Sequence, residues 1–87
     1  MHGITTTTSH GEVRWTRTEL YALTPDNLIL FGASRVLQLR GKQWSPDKPT
    51  VMTLNLRDME DGTQSRIDFG LTETVRLVVG IASDSLH

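Results

Sequence analysis

Arginine, amide and hydroxyl side chains at alternating positions offer the best-defined chemistry in this chain. Met52, Leu54 and Leu56 alternate with Thr53, Asn55 and Arg57, and beyond an acidic turn Ser65, Ile67 and Phe69 alternate with Gln64, Arg66 and Asp68. Alternation at period two marks a half-buried strand, with one polar and one apolar face. A turn centred on Glu60 and Asp61 sets Arg57 opposite Gln64, Asn55 opposite Arg66 and Thr53 opposite Asp68. Arg40, with Gln38, joins this face if its strand lies in the same sheet, and Lys42 and Trp44 follow directly. Arginine forks grip phosphate or carboxylate, amides complete the hydrogen bonding, and an aromatic ring stacks a base or peptide group. Arg40, Lys42, Trp44, Arg57 and Arg66 are therefore the candidate binding residues. A solvated sheet face accounts for the same residues, and Asp68 neutralises part of their charge.

Other chemistry finds less support. His2 and His87 lie near the chain ends and His10 in a turn, where nothing holds a base rigidly as a Ser–His–Asp triad requires. Asp58, Glu60 and Asp61 crowd one turn, but a calcium loop needs about five oxygen-bearing positions; an Asp-Gly hairpin turn is the ordinary reading. No glycine spacing cradles a phosphate. The chain has no cysteine, so thiolate catalysis, disulfides and thiolate zinc sites drop out. No catalytic residue, metal or cofactor is expected.

The 87 residues carry a formal net charge of −1, which argues against a generic nucleic-acid coat or an electrostatic membrane anchor. One domain of this size buries only about 60–65% of its unfolded surface, so its core is thin. No apolar run approaches the roughly 20 residues of a membrane span. The first residues lack the basic flank and apolar core of a secretory signal, and no Asn-x-Ser/Thr acceptor occurs. A cytoplasmic domain is expected.

The elements that position these residues can be read in order. Ile4 to Ser9 is a threonine-rich arm or a first strand, since β-branched residues favour extended backbone. His10-Gly11 breaks it. Val13, Trp15 and Arg17 share one face of the next strand, but Leu20 and Ala22 fall at an odd offset, which requires a bulge or bend. Thr24-Pro25-Asp26-Asn27 is a turn. Leu28 to Phe31 reads as a short buried strand, ended by Gly32-Ala33-Ser34, and Arg35 to Arg40 as the next. Residues 41–49 are expected to be irregular because Pro46 and Pro49 oppose pairing. Trp44 folds back there as a core plug or, left exposed, anchors a protein partner; Trp15 is a core residue. Gly62 sits where a turn needs positive φ. From Leu71 the apolar period lengthens to about 3.6: Leu71, Val75, Val78, Val79, Ala82 and Leu86 form one stripe, widened by Leu77 and Ile81. That predicts a helix over 71–85 covering the sheet, with Gly80 marking close approach.

A strand meander closed by one C-terminal helix resembles the pleckstrin-homology and GRAM superfold. Residues 20–31 are similar to the "tyrosine, two residues, threonine, turn, leucine-isoleucine" hairpin of its bacterial members, and 54–82 to their strand–turn–strand–helix ending. The family usually has seven strands, against five or six found here. Its lipid-binding members crowd basic residues around the first hairpin loop, whereas His10-Gly11 and Pro25-Asp26-Asn27 have no lysine or arginine. The resemblance implies a binding scaffold and disfavours phosphoinositide as ligand.

The expectation is thus one α+β domain: 1–11 as arm or first strand, 12–69 as a five- to six-stranded antiparallel meander in a half-open barrel, and 71–85 as its helical cap. The expected function is non-catalytic protein–protein association, including self-association through the threonine-rich strand. Anion or single-strand nucleic-acid binding by the basic face is the alternative, and catalysis ranks third.

Overall fold

The computed structural model describes residues 4–8, 10–32 and 34–82. Among them seven antiparallel strands form one sheet: β1 (Ile4–Thr8), β2 (Gly11–Glu19), β3 (Leu28–Phe31), β4 (Arg35–Ser45), β5 (Lys48–Asp58), β6 (Gln64–Gly70) and β7 (Thr74–Ala82). Their spatial order is β1-β2-β7-β3-β4-β5-β6, so the last strand enters between β2 and β3. The sheet curls into a half-barrel. Its inner face carries the main core of Leu20, Leu23, Ile29, Leu37, Leu39, Leu54, Leu56 and Val75. A second apolar cluster, Val13, Trp15, Leu30 and Val36, lies on the opposite side of the strands.

The C-terminal helix expected over 71–85 is overturned: β7 occupies its place as far as Ala82, and 83–85 lie outside the described residues. The expected count of five or six strands gives way to seven. Among the described residues the only helical element is a 3-10 turn, Leu20–Ala22, and no helix is long and apolar enough to cross a membrane.

The misreading has a physical cause. β7 is interior to the sheet, with Val75 and Leu77 against the main core and Val78 against the second cluster. A strand with apolar side chains on both faces loses the alternation that identifies strands, even though Val79 and Ile81 remain exposed. In addition the register slips where Arg14 pairs with Gly80 and Trp15 with Val78, leaving Val79 as a bulge. One extra residue in a period-two pattern imitates a helical stripe. The β-branched run Thr74, Val75, Val78, Val79 and Ile81 was the contrary local signal. Gly80 leaves room for the Arg14 guanidinium, 3.7 Å from where a Cβ would stand, rather than for a helix against a sheet.

Other expectations hold in detail. The β5–β6 register is Arg57↔Gln64, Asn55↔Arg66 and Thr53↔Asp68. Gly62 has φ +76°. The first strand exists and pairs with β2 from Ile4↔Trp15 to Thr8↔Gly11. Asp26 takes φ +78° after Pro25, as the third residue of a type II turn does. The odd offset of Leu20 is a bend: β2 ends at Glu19, and the 3-10 turn carries Leu20 and Leu23 over the inner face.

Residues 41–49 are not irregular. β4 runs on to Ser45 and β5 begins at Lys48, with Pro46 in the turn between them. Pro49 is tolerated because the ladder passes from Ser45↔Lys48 directly to Trp44↔Met52, leaving 49–51 without partners on β4. A residue without an N–H costs little where no ladder bond is made.

Candidate functional site

A β-bulge decides the fate of the five candidate binding residues. Gln38 pairs with Arg57 and Leu39 with Leu56, but the next pair is Gly41↔Asn55, so Arg40 is the extra residue. Before the bulge the even-numbered Gln38 shares the outer face of β4 with Arg57. After it, Gly41 and Gln43 share the face of Asn55 and Thr53, while Lys42 and Trp44 pair with the core-facing Leu54 and Met52. The structure therefore gathers Arg40, Arg57 and Arg66 on the outer face and puts Lys42 and Trp44 in the register of the inner one. Lys42 Nζ donates to the Tyr21 carbonyl at 3.1 Å and the Leu20 carbonyl at 3.4 Å, closing the gap to the 3-10 turn. Trp44 is not a core plug: it is 52% exposed, with its indole N–H donating to the Pro49 carbonyl at 3.1 Å.

Two of the outer arginines are held by amides. Arg66 donates to Gln43 Oε1 at 2.8 Å, and Arg40 to Gln38 Oε1 at 3.4 Å. Asp68 accepts from Thr53 Oγ1 at 2.6 Å and lies 4.0 Å from Lys48 Nζ. Trp44 follows the inner-face register, yet beside the β4–β5 turn it lines one cleft of about 380 Å³ with Gln43, Lys48, Thr53 and Arg66.

The acidic turn is structural. Asp58 is buried and accepts from the Arg35 guanidinium and from the Glu60 N–H. The Arg35 hydrogen bond, followed by the Glu60 N–H, lowers its pKa below the usual carboxylate value. Asp61 is lowered too, chiefly by the Thr63 N–H that it accepts at 2.9 Å. These carboxylates are occupied as turn acceptors, and no group of three or more metal-ligating side chains is found among the described residues. His10 lies in the β1–β2 turn, where its N–H donates to Thr8 Oγ1; His2 and His87 lie outside the described residues.

Two features stand out. The first is the edge strand β1. It contains no charge and no proline, and it is fixed in place by its side chains. Thr6 Oγ1 accepts the Trp15 indole N–H at 2.9 Å, and Thr8 Oγ1 donates to the Gly11 carbonyl at 3.0 Å. The opposite edge, β6, presents Arg66 and Asp68, both exposed. Charged side chains are the usual guard against edge-to-edge pairing. β1 has none.

The second is an arginine pair that the sequence reading did not join. Arg17 of β2 stands directly opposite Arg76 of β7, and both guanidinium groups lie over Trp15. Reading 71–85 as a helix removed Arg76 from the sheet. The β-branched density of that stretch was the signal that would have restored it. Comparison with protein-family models, with curated proteins and with solved structures finds no match to this chain.

Proposed function

We propose that this protein is a non-catalytic association module that self-associates by pairing β1 with β1 of a second copy. The observation that carries this reading is the contrast between its two edges: β1 is unguarded and anchored from behind, and β6 is charged. A strand already ordered by Trp15 and by its own turn loses little further entropy on pairing, which favours addition of a strand at that edge. Antiparallel β1–β1 pairing is self-complementary, as a two-fold dimer requires, and like-charge repulsion is absent from it. Exchange of the arm between copies is the less favoured route, because it would have to break the Thr6–Trp15 bond and five residue pairs first.

Five residues per strand make roughly four to six interstrand bonds at about 0.5–1.5 kcal/mol each. Set against the cost of lost translational and rotational freedom, such a gain leaves a weak dimer, expected at about millimolar Kd, and the test must reach it. Sedimentation equilibrium from micromolar to millimolar protein is expected to show the mass rising from 9.8 kDa toward twice that value. The double variant Thr5→Lys, Thr7→Lys, at two exposed positions, is expected to stay monomeric while melting as the wild type does. A mass independent of concentration over that whole range would overturn the proposal.

A further inference from the structure

Arg17 and Arg76 face each other across β2 and β7, a placement that like charges disfavour. Their guanidinium carbons lie 5.7 Å and 5.3 Å from the centroid of the Trp15 ring, within range of cation–π attraction. Among the described residues neither forms an ion pair; the two pairs there are Arg35–Asp58 and Lys48–Asp68. Arg76 donates one bond to the Gly32 carbonyl. Each fork carries five N–H donors, so most of their capacity remains for a ligand.

A cleft adjoins the pair, and the topology explains it. β7 follows β3 for only two residue pairs, Ile29↔Leu77 and Leu30↔Arg76. Beyond them the strands part, and a cleft of about 180 Å³ opens, lined by Arg17 and Arg76 with Phe31, Gly32, Phe69 and Thr74. The space beside the Gly32 Cα is empty to 4 Å. Pockets for drug-sized ligands run about 300–1,000 Å³, so this one is too small for a nucleotide.

We propose that the cleft binds a small organic anion, a phosphate or carboxylate group carrying a compact apolar body. The two guanidinium forks hold the oxyanion, the Thr74 hydroxyl stands beside it, and the apolar body lies against Phe31 and Phe69. Trp15 stacks beneath the arginines and keeps both forks from turning away. A bound anion also removes the repulsion between the opposed charges, so part of the binding free energy comes from relief of that contact. This site is independent of pairing through β1.

The test uses the full chain at constant ionic strength, titrated with inorganic phosphate, benzoate and phenyl phosphate while following backbone amides, arginine Nε–H and indole N–H resonances. Saturable shifts are expected at Arg17, Arg76, Gly32 and Trp15, with phenyl phosphate at least about tenfold tighter than phosphate. Arg17→Lys keeps the charge but loses the fork, and is expected to weaken binding about tenfold. Arg66→Gln, on the outer face of β6, is expected to leave it unchanged. Absence of saturable shifts at tens of millimolar would overturn the site. So would binding retained in Arg17→Lys, or lost equally in Arg66→Gln, since both outcomes describe diffuse attraction to charge.

Discussion

Two groups of arginines occupy this sheet under different conditions. Arg57 and Arg66 lie on neighbouring strands of one hairpin, diagonally placed and solvated, and Arg66 donates to the Gln43 amide. Arg17 and Arg76 are directly opposed, stacked on a buried tryptophan and unpaired with any acid among the described residues. The first group is what a sheet exposed to water displays at no cost. The second keeps two cations together against their repulsion, with the Trp15 ring attracting both. The lesson concerns the aromatic. A single bulged residue shifts Trp44 to the inner-face register, so that it meets Arg66 only across the open cleft beside the β4–β5 turn, while Trp15 lies under both arginines of the second.

The sharpest way to break this comparison is to remove each tryptophan in turn. Trp15 is only 7% exposed and packs in the second apolar cluster, so Trp15→Ala is expected to cost about 3–5 kcal/mol and to loosen β1 through loss of the Thr6 bond. Trp44→Ala, at a half-exposed position, is expected to cost under about 1 kcal/mol. Denaturant unfolding measures both, and similar losses would mean that the tryptophans play equivalent parts.

Arg35 supplies the contrasting case of an arginine with a carboxylate partner. Its bond to Asp58 lowers the acid's folded pKa below the unfolded value, so this stabilisation is present above the unfolded pKa and is lost as pH falls through the folded one. Thermal stability is therefore expected to fall below about pH 4, near the unfolded carboxylate pKa. Asp58→Asn is expected to lower the melting temperature by several degrees at neutral pH and to flatten that acid slope. Asp61, lowered by the Thr63 N–H, leaves a residual slope in the variant. An unchanged slope would detach Asp58 from acid unfolding.

The smallest effects belong to the solvated group. Arg57→Gln and Arg66→Gln are each expected to change stability by less than about 0.5 kcal/mol. Anything larger would show that these arginines are structural rather than part of a water-covered face.

Much of the C-terminal hairpin was legible in the sequence because its two strands are joined by a short turn. Alternation fixes which side chains share a face, and Gly62 with the acidic residues fixes where the chain reverses. The same reasoning recovers the Pro25-Asp26 turn and the buried β3, and leaves β1 open between an arm and a strand, which the pairing with β2 decides. It fails at β7, which is apolar on both faces and carries a bulge. It also fails at residues 41–49, where two prolines suggested a loop although one sits in the turn and the other in an unpaired stretch. In the arginine face it finds the residues and misses the slip at Arg40, because residues 40–43, Arg-Gly-Lys-Gln, include no apolar side chain to mark the change of face.

By itself, then, the sequence determined the local pieces: the strand periods, the turn chemistry, the hairpin register and the uncharged character of β1. Each depends on residues a few positions apart, whose backbone preferences act before any tertiary contact forms. Only the tertiary structure decided that β7 enters between β2 and β3, which brings Arg76 across from Arg17 and opens the cleft beside Gly32. That insertion depends on burying Val75 and Leu77 on one side and Val78 on the other. No pattern within β7 can specify it, because the faces it fills belong to strands far away in the chain.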